Sequence, residues 1–210
     1  MLRALRQSRS LGRVRLGIGG ENPIFRQVLG ICSVLAVTNL VVNSALMAVG
    51  LVFTTSLSSL TVSLLRRHTP RQVRMMTQTL VIACYVIIFK TVIDAYLPEI
   101  AGNLGAYVGL IITNCIVMGR CEAFANDNPP LVAFADGLGA GIGYSLVLLT
   151  VAAIRELMGF GTLAGAPVLG SWWTRWTVMV TPPGAFFVLA ALLWIANALW
   201  RPRGGREGGP

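Results

Sequence analysis

The chain is predicted to be an all-α membrane protein with six transmembrane helices, two of them short or broken, arranged as inverted three-helix repeats. Three observations predict this. Hydrophobic residues make up 55% of the 210 positions and charged residues only 12%, with a mean hydropathy of +0.71, outside the mix of a soluble domain. Several apolar runs reach the roughly 20 residues needed to cross a hydrocarbon core. Two shorter runs each carry a cysteine, and each is followed at a similar distance by a long apolar run.

Residues 1–21 form a basic tail without the apolar core of a cleaved signal peptide, so insertion falls to the first true helices. The membrane domain is expected over 22–200, with half-repeats at about 22–100 and 101–200. Val28–Leu40 is the first short segment and carries Cys32; Ala45–Leu65 and Met75–Leu97 are full-length helices. Leu104–Met118 is the second short segment and carries Cys115; Leu131–Ile154 and Val178–Trp200 complete the set. Each half holds three crossings, an odd number, so the second half must be inverted relative to the first. Short or Gly-interrupted segments at matching positions of two inverted halves point to a functional site near the midplane. The longest connection, Met158–Thr177, ends in Trp172, Trp173 and Trp176, read as a headgroup-level anchor, with ligand stacking as the sharper alternative. The tail 201–210 is rich in Gly, Pro and Arg and is expected to be disordered.

The net charge of +9 is distributed as a topology signal rather than a nucleic-acid footprint. Arg3, Arg6, Arg9, Arg13, Arg15 and Arg26 precede the first segment; Arg66, Arg67, Arg71 and Arg74 follow the second; Arg120 follows the fourth; Arg201, Arg203 and Arg206 follow the sixth. With six crossings all of these fall on one side, which places both termini in the cytoplasm. Asp94, Glu99, Arg155 and Arg175 fall on the other side. A cationic face beside anionic lipid accounts for the charge, and no nucleic-acid partner is expected.

Cys32 lies in Leu29–Thr38 and Cys115 in Gly109–Arg120, beside Gly30, Ser33, Thr113 and Asn114. A soft thiolate at bilayer depth suits a metal or iron–sulfur site. Broken helices free backbone N–H groups, and with Ser, Thr and Asn these stabilise negative charge on sulfur. Two thiols cannot complete such a site, so the remaining ligands would come from another chain. The plainer reading is that a buried free cysteine is simply a small hydrophobe. Cys84, mid-helix, is read as packing, and Cys121 as an exposed thiol at the cytoplasmic end of the fourth segment. His68 is read as a solvated loop residue, and no CxxC, zinc or Ser–His–Asp arrangement occurs. Asp136, opening a Gly-rich stretch, is a candidate for cation uptake, against a capping role at the helix start. Arg155-Glu156 is read as a boundary pair, Arg120 and Glu122 as an ion pair, and Lys90 and Asp94, four apart, as mutually neutralising.

Gly109-Leu-Ile-Ile-Thr-Asn-Cys-Ile-Val-Met-Gly-Arg-Cys-Glu-Ala-Phe-Ala125 resembles the hallmark of a family uniting the D subunit of the Na⁺-translocating NADH:quinone reductase (Nqr) with the E subunit of the Rnf electron-transport complex. Asn22-Pro23, the Cys32 motif, Asp136-Gly-Leu-Gly-Ala-Gly-Ile-Gly-Tyr144 and Arg155-Glu-Leu-Met-Gly-Phe-Gly-Thr-Leu163 extend the resemblance over roughly Asn22 to Asn197. Cys32-Ser33 and Val108-Gly109-Leu110 are similar to the Nqr branch, and Thr181-Pro-Pro-Gly-Ala-Phe186 to the Rnf branch.

The resemblance implies six helices with inverted pseudo-symmetry, paired with a homologous subunit of opposite orientation in a bacterial inner membrane. It implies that Cys32 and Cys115 hold half of an intramembrane 2Fe–2S cluster, the partner supplying two more cysteines. Electrons would pass across the bilayer between flavin-bearing subunits, on the way from NADH to quinone, coupled to Na⁺ movement. Asp136 matches an acidic position of cation uptake; Gly30, Ser33, Thr113 and Asn114 would surround the ligands. Two departures stand out: Cys121 replaces a usual Ala, and Lys90 lies near an expected Asp, which leaves proton coupling open. The residues alone also admit a secondary transporter, which would not need both cysteines, or a structural anchor without iron.

Overall fold

The computed structural model describes residues 29–70, 72–96, 105, 107, 109–163, 166–167 and 177–200. The basic tail, Asn22-Pro23, Glu99, the Trp172–Trp176 cluster, Arg175 and the tail beyond 200 lie outside the described residues. Apart from turns and connections, the described chain is helical except for a short antiparallel ladder, β1 (Thr162–Leu163) with β2 (Ala166–Pro167), in the register Thr162↔Pro167.

In order, the helices are α1 (Ile31–Val37), α2 (Val41–Leu65), α3 (Arg74–Tyr96), α4 (Cys115–Arg120), α5 (Pro130–Gly159), α6 (Thr177–Val180) and α7 (Pro182–Trp200). Residues 109–112 are also helical, and a π-turn, Cys121–Ala125, extends α4. Among the described residues, α2, α3 and α5 are long and apolar enough to cross a membrane, and Pro182–Ala196 is a shorter apolar helix. The helices bearing Cys32 and Cys115 are short: seven residues for α1 and six for α4.

The core is the pairing of α2 with α5, made close by small residues. A Cβ on Gly137 would stand 2.8 Å from the Thr55 carbonyl oxygen, and one on Gly141 would stand 3.1 Å from Val52 Cα. Ser145, the next residue at this spacing of four, is also buried, with its hydroxyl on the Gly141 carbonyl at 2.8 Å. Lipid tails are as apolar as leucine, so such small faces hold membrane helices together through backbone proximity. Around this pair, Val34, Leu51, Ile82, Ile111, Ile116 and Leu148 form the buried cluster. On α3, Tyr85 shares a 2.6 Å hydrogen bond with Thr61, and Phe89 stacks on Phe53 at 6.0 Å between ring centroids. Lys90 and Asp94 pair at 3.2 Å, half-exposed, as their spacing predicts.

Several boundaries move from their sequence-based positions. The second helix begins at Val41 rather than Ala45 because Glu156 Oε2 accepts the Val41 N–H at 2.6 Å, satisfying a group that the Leu40 side chain leaves open. Val178–Trp200 is not continuous: Pro182 and Pro183 follow Thr181, so the chain makes α6, bends, and restarts as α7. Pro130 opens α5 at its first position, where a missing N–H costs nothing.

Arg155 and Glu156 are each buried and serve as caps for these interruptions rather than as a boundary pair. Arg155 donates to the carbonyls of Met179, Val180 and Thr181 at 3.0, 3.0 and 3.1 Å, and to the Thr38 hydroxyl. The end of α1, the start of α2 and the end of α6 are thereby gathered on the last turns of α5.

Substituting Gly137 tests the α2–α5 contact. Gly137→Ala must displace the Thr55 backbone and is expected to cost about 1–3 kcal/mol, whereas Gly119→Ala meets only Leu29 Cδ1 at 3.4 Å. Thermal unfolding of the detergent-solubilised protein should show a lowered midpoint for the first variant and a near-unchanged one for the second.

Candidate functional site

The left-handed Gly30 (φ 84°) turns the chain into α1, making Cys32 the second residue of that helix. Asn114 caps α4 by accepting the Ile116 N–H on Oδ1 at 3.0 Å, making Cys115 the first residue of its helix. Both thiols are exposed on the chain's own surface, while Ser33, Asn114 and Ile116 beside them are buried. The sulfurs therefore face outward from a rigid, packed base.

These two helix starts touch. Asn114 Nδ2 donates to Ser33 Oγ at 3.1 Å, so the residue preceding Cys115 is bonded to the residue following Cys32. Tyr144, halfway along α5, places its hydroxyl against Ser33 Oγ and against the Gly30 carbonyl at 3.2 Å. A Cβ on Gly30 would collide with Ile116 Cδ1 at 2.6 Å and Tyr144 Cε2 at 2.8 Å, so glycine permits the approach as well as the turn. Tyr144 is thus bonded to the residue that follows Cys32 and, through Ser33, to the residue that precedes Cys115.

From this meeting point the two short helices run in opposite directions along α5. The end of α1 reaches Arg155 through Thr38, and the end of α4 reaches Asp136 through Arg120. At a rise of 1.5 Å per residue those anchors lie about 16 Å and about 12 Å from Tyr144 on either side.

The expected ring of polar residues is present in part. Gly30, Ser33 and Asn114 form one bonded unit, whereas Thr113 is exposed, with its hydroxyl on the Gly109 carbonyl at 3.0 Å. Tyr144 is the residue sequence reasoning missed. A lone large polar side chain in the small-residue run Gly137–Ser145 was the available signal.

Other expectations change. Asp136 lies inside α5, beyond the first turn, so it does not cap the helix start; it forms a buried two-pronged ion pair with Arg120, through Nε at 2.9 Å and through Nη2. Arg120 therefore pairs with Asp136 and not with Glu122. Glu122, beyond the predicted span, is bonded by Arg74, by Gln78 at 2.7 Å and by Asn126 at 3.1 Å. Burial works against its charge, but these donors outweigh it and hold its carboxyl below the ordinary range. Cys121 is buried, not exposed, because the π-turn tucks it under α2, with its sulfur 3.6 Å from Ser58 Oγ. Cys84 is exposed on α3 rather than packed in the core, and His68 is exposed in a turn as expected.

Among the described residues no three His, Cys, Asp or Glu side chains gather as a ligand set. The donors suited to a metal centre are the two outward thiols, which fit half of a four-thiolate iron–sulfur site, with amide and hydroxyl groups braced behind them. A hollow of about 600 Å³ between α2 and α5 is lined chiefly by apolar residues such as Val49, Phe53, Phe134 and Leu138, with no titratable group among the described residues that line it.

A helical chain with three described helices long and apolar enough to cross a bilayer is, as a class, an integral membrane protein. The family of Rnf-Nqr subunits, membrane proteins, matches residues 12–193, and the chain belongs to it. The D subunit of the Na(+)-translocating NADH-quinone reductase of Shewanella piezotolerans is 44% identical over 198 residues, covering 91% of this chain and 94% of its own. The D subunit of the same enzyme from Pseudomonas paraeruginosa is 47% identical over 186 residues, covering 86% and 83%.

The Arg120–Asp136 pair generates a stability test. Arg120→Ala removes the paired cation from a buried carboxylate and is expected to cost about 3–5 kcal/mol. The double variant Arg120→Ala with Asp136→Ala should recover part of that loss, measured as the thermal midpoint of the purified protein.

Proposed function

We propose that the chain is an integral-membrane subunit of a Na⁺-translocating NADH:quinone reductase, and that it relays electrons across the bilayer at a 2Fe–2S cluster shared with a homologous subunit. The observation that carries this reading is the convergence of Cys32 and Cys115: outward-facing thiols on two short helices that run apart from one bonded junction. The names of the two relatives support the choice of enzyme.

Such a cluster, when bound, supplies one-electron transfer with no bond making. The chain's own residues hold and brace it. Cys32 and Cys115 provide one half of the ligand set, and the partner, a homologous membrane protein of inverted orientation, provides two further cysteines. Gly30, Ser33 and Asn114 fix the thiols from behind, and Thr113 lies at the exposed edge. Flavins and quinone belong to other subunits of the complex.

In this reading six spans form inverted three-helix repeats in a bacterial inner membrane, with both termini cytoplasmic. The opposite courses of α1 and α4 support it, as does the arginine distribution: Arg66, Arg67, Arg74 and Arg120 gather at the end of the helices opposite Lys90–Asp94 and Arg155. Asp136 takes up the cation from the cytoplasmic end. Its carboxylate already holds Arg120, so an entering Na⁺ competes with the guanidinium.

Two measurements test these claims. In the purified complex, Cys32→Ala or Cys115→Ala should each abolish the low-temperature EPR signal of the membrane centre and lower bound iron while the subunits still assemble. Retention of both would refute the ligand assignment. Asp136→Asn should lower Na⁺-dependent turnover with iron retained, and unchanged Na⁺ dependence would remove Asp136 from the cation path.

A further inference from the structure

We propose that Tyr144 is a positioning residue for the thiol pair: its hydroxyl holds the helix starts bearing Cys32 and Cys115 in register, and so sets the potential of the centre they ligate. This rests on the cluster reading above.

The hydroxyl belongs to a closed set of bonds. Ser33 Oγ and Tyr144 OH contact each other, and each lies within reach of the Gly30 carbonyl, at 3.0 and 3.2 Å. Two hydroxyl protons thus serve two acceptors: whichever hydroxyl donates to the other, the second donates to Gly30. Ser33 Oγ also accepts from Asn114, whose amide oxygen holds the Ile116 N–H. The chain of bonds Gly30–Tyr144–Ser33–Asn114–Ile116 therefore spans both cysteine motifs, each cysteine lying one residue from a member.

Tyr144 is 1% exposed, so neither ring nor hydroxyl can exchange these partners for solvent. The ring is wedged where Gly30 lacks a Cβ, which stops α1 from sliding without expelling the tyrosine. Packed helices have discrete arrangements, not a continuum. Without the hydroxyl, Ser33 keeps one bond to Gly30 and one from Asn114, and the two starts lose their common anchor on α5. Hydrogen-bond donors held in place around the two helix starts favour the extra negative charge of the reduced state, and starts that slip out of register lose part of that donation.

The experiment is a redox titration of the membrane centre's EPR signal in the assembled complex, comparing wild type with Tyr144→Phe, Ser33→Ala and the double variant. The phenylalanine keeps the ring and removes the oxygen alone. Tyr144→Phe should retain iron yet lower the reduced-to-oxidised ratio at fixed potential about tenfold, which is 59 mV for a one-electron couple. Ser33→Ala should shift it in the same direction, and the double variant should shift less than the two singles added, because they share one network. An unchanged potential and line shape in Tyr144→Phe, with the wild-type signal present, would overturn the proposal and leave the cluster reading intact. A wild-type complex with no membrane signal would overturn both. Should Tyr144→Phe fail to assemble, Ser33→Ala carries the test with the same two outcomes.

Discussion

Breaking a helix inside a membrane leaves backbone N–H and C=O groups that lipid cannot satisfy, at several kcal/mol each. This chain interrupts its helices repeatedly, and the architecture follows from how each interruption is repaired. At the first cysteine segment the Gly30 carbonyl is served by the bonded hydroxyl pair of Ser33 and Tyr144. Between α1 and α2, Ser44 reaches back to the carbonyls of Val37 and Leu40, and Glu156 takes the Val41 N–H. At α4 the Asn114 side chain caps the helix start, and at the end of α6 three carbonyls fall to Arg155. Nearly all the repairing groups come from α5 or from residues beside the cysteines.

That dependence explains why α5 is both the longest helix and the organising one. Arg120–Asp136 near one end, the Tyr144 junction at the middle and Arg155-Glu156 at the other end hold the two short helices against a single support. Its Gly137 and Gly141 face lets α2 come close enough to complete the support. Cys32 and Cys115 stand exposed beside this bonded junction. In the proposed function this is what an electron relay needs: ligands held stiffly on one side, with the other side open to a partner.

The long helices were legible because they are continuous apolar runs, a signal that survives without knowledge of neighbours. The shortness of the helices at Cys32 and Cys115 was legible for a related reason: Gly30, Thr113 and Asn114 interrupt the apolar pattern there. Lys90–Asp94 followed from helical spacing alone. What remained hidden depends on contacts between residues far apart in the chain. Tyr144 meets Ser33 across 111 positions, and Arg155 meets Thr38 across 117, so no local pattern reports either bond. Arg120 with Glu122 was the nearest local pairing; the folded chain gives each a distant partner instead, because the π-turn rotates Glu122 toward α3 and leaves Arg120 facing α5. The same turn buries Cys121, whose neighbouring Arg and Glu suggested exposure.

The central claim is that Cys32 and Cys115 provide half of a metal–sulfur cage closed by a second chain. An experimental density map of the intact complex, with iron located by its anomalous signal, tests it most directly. The account predicts an iron peak bonded to both Sγ atoms and to two thiols of an inverted homologous subunit. Sulfurs directed at lipid, or seated against a partner with no metal between them, would contradict it.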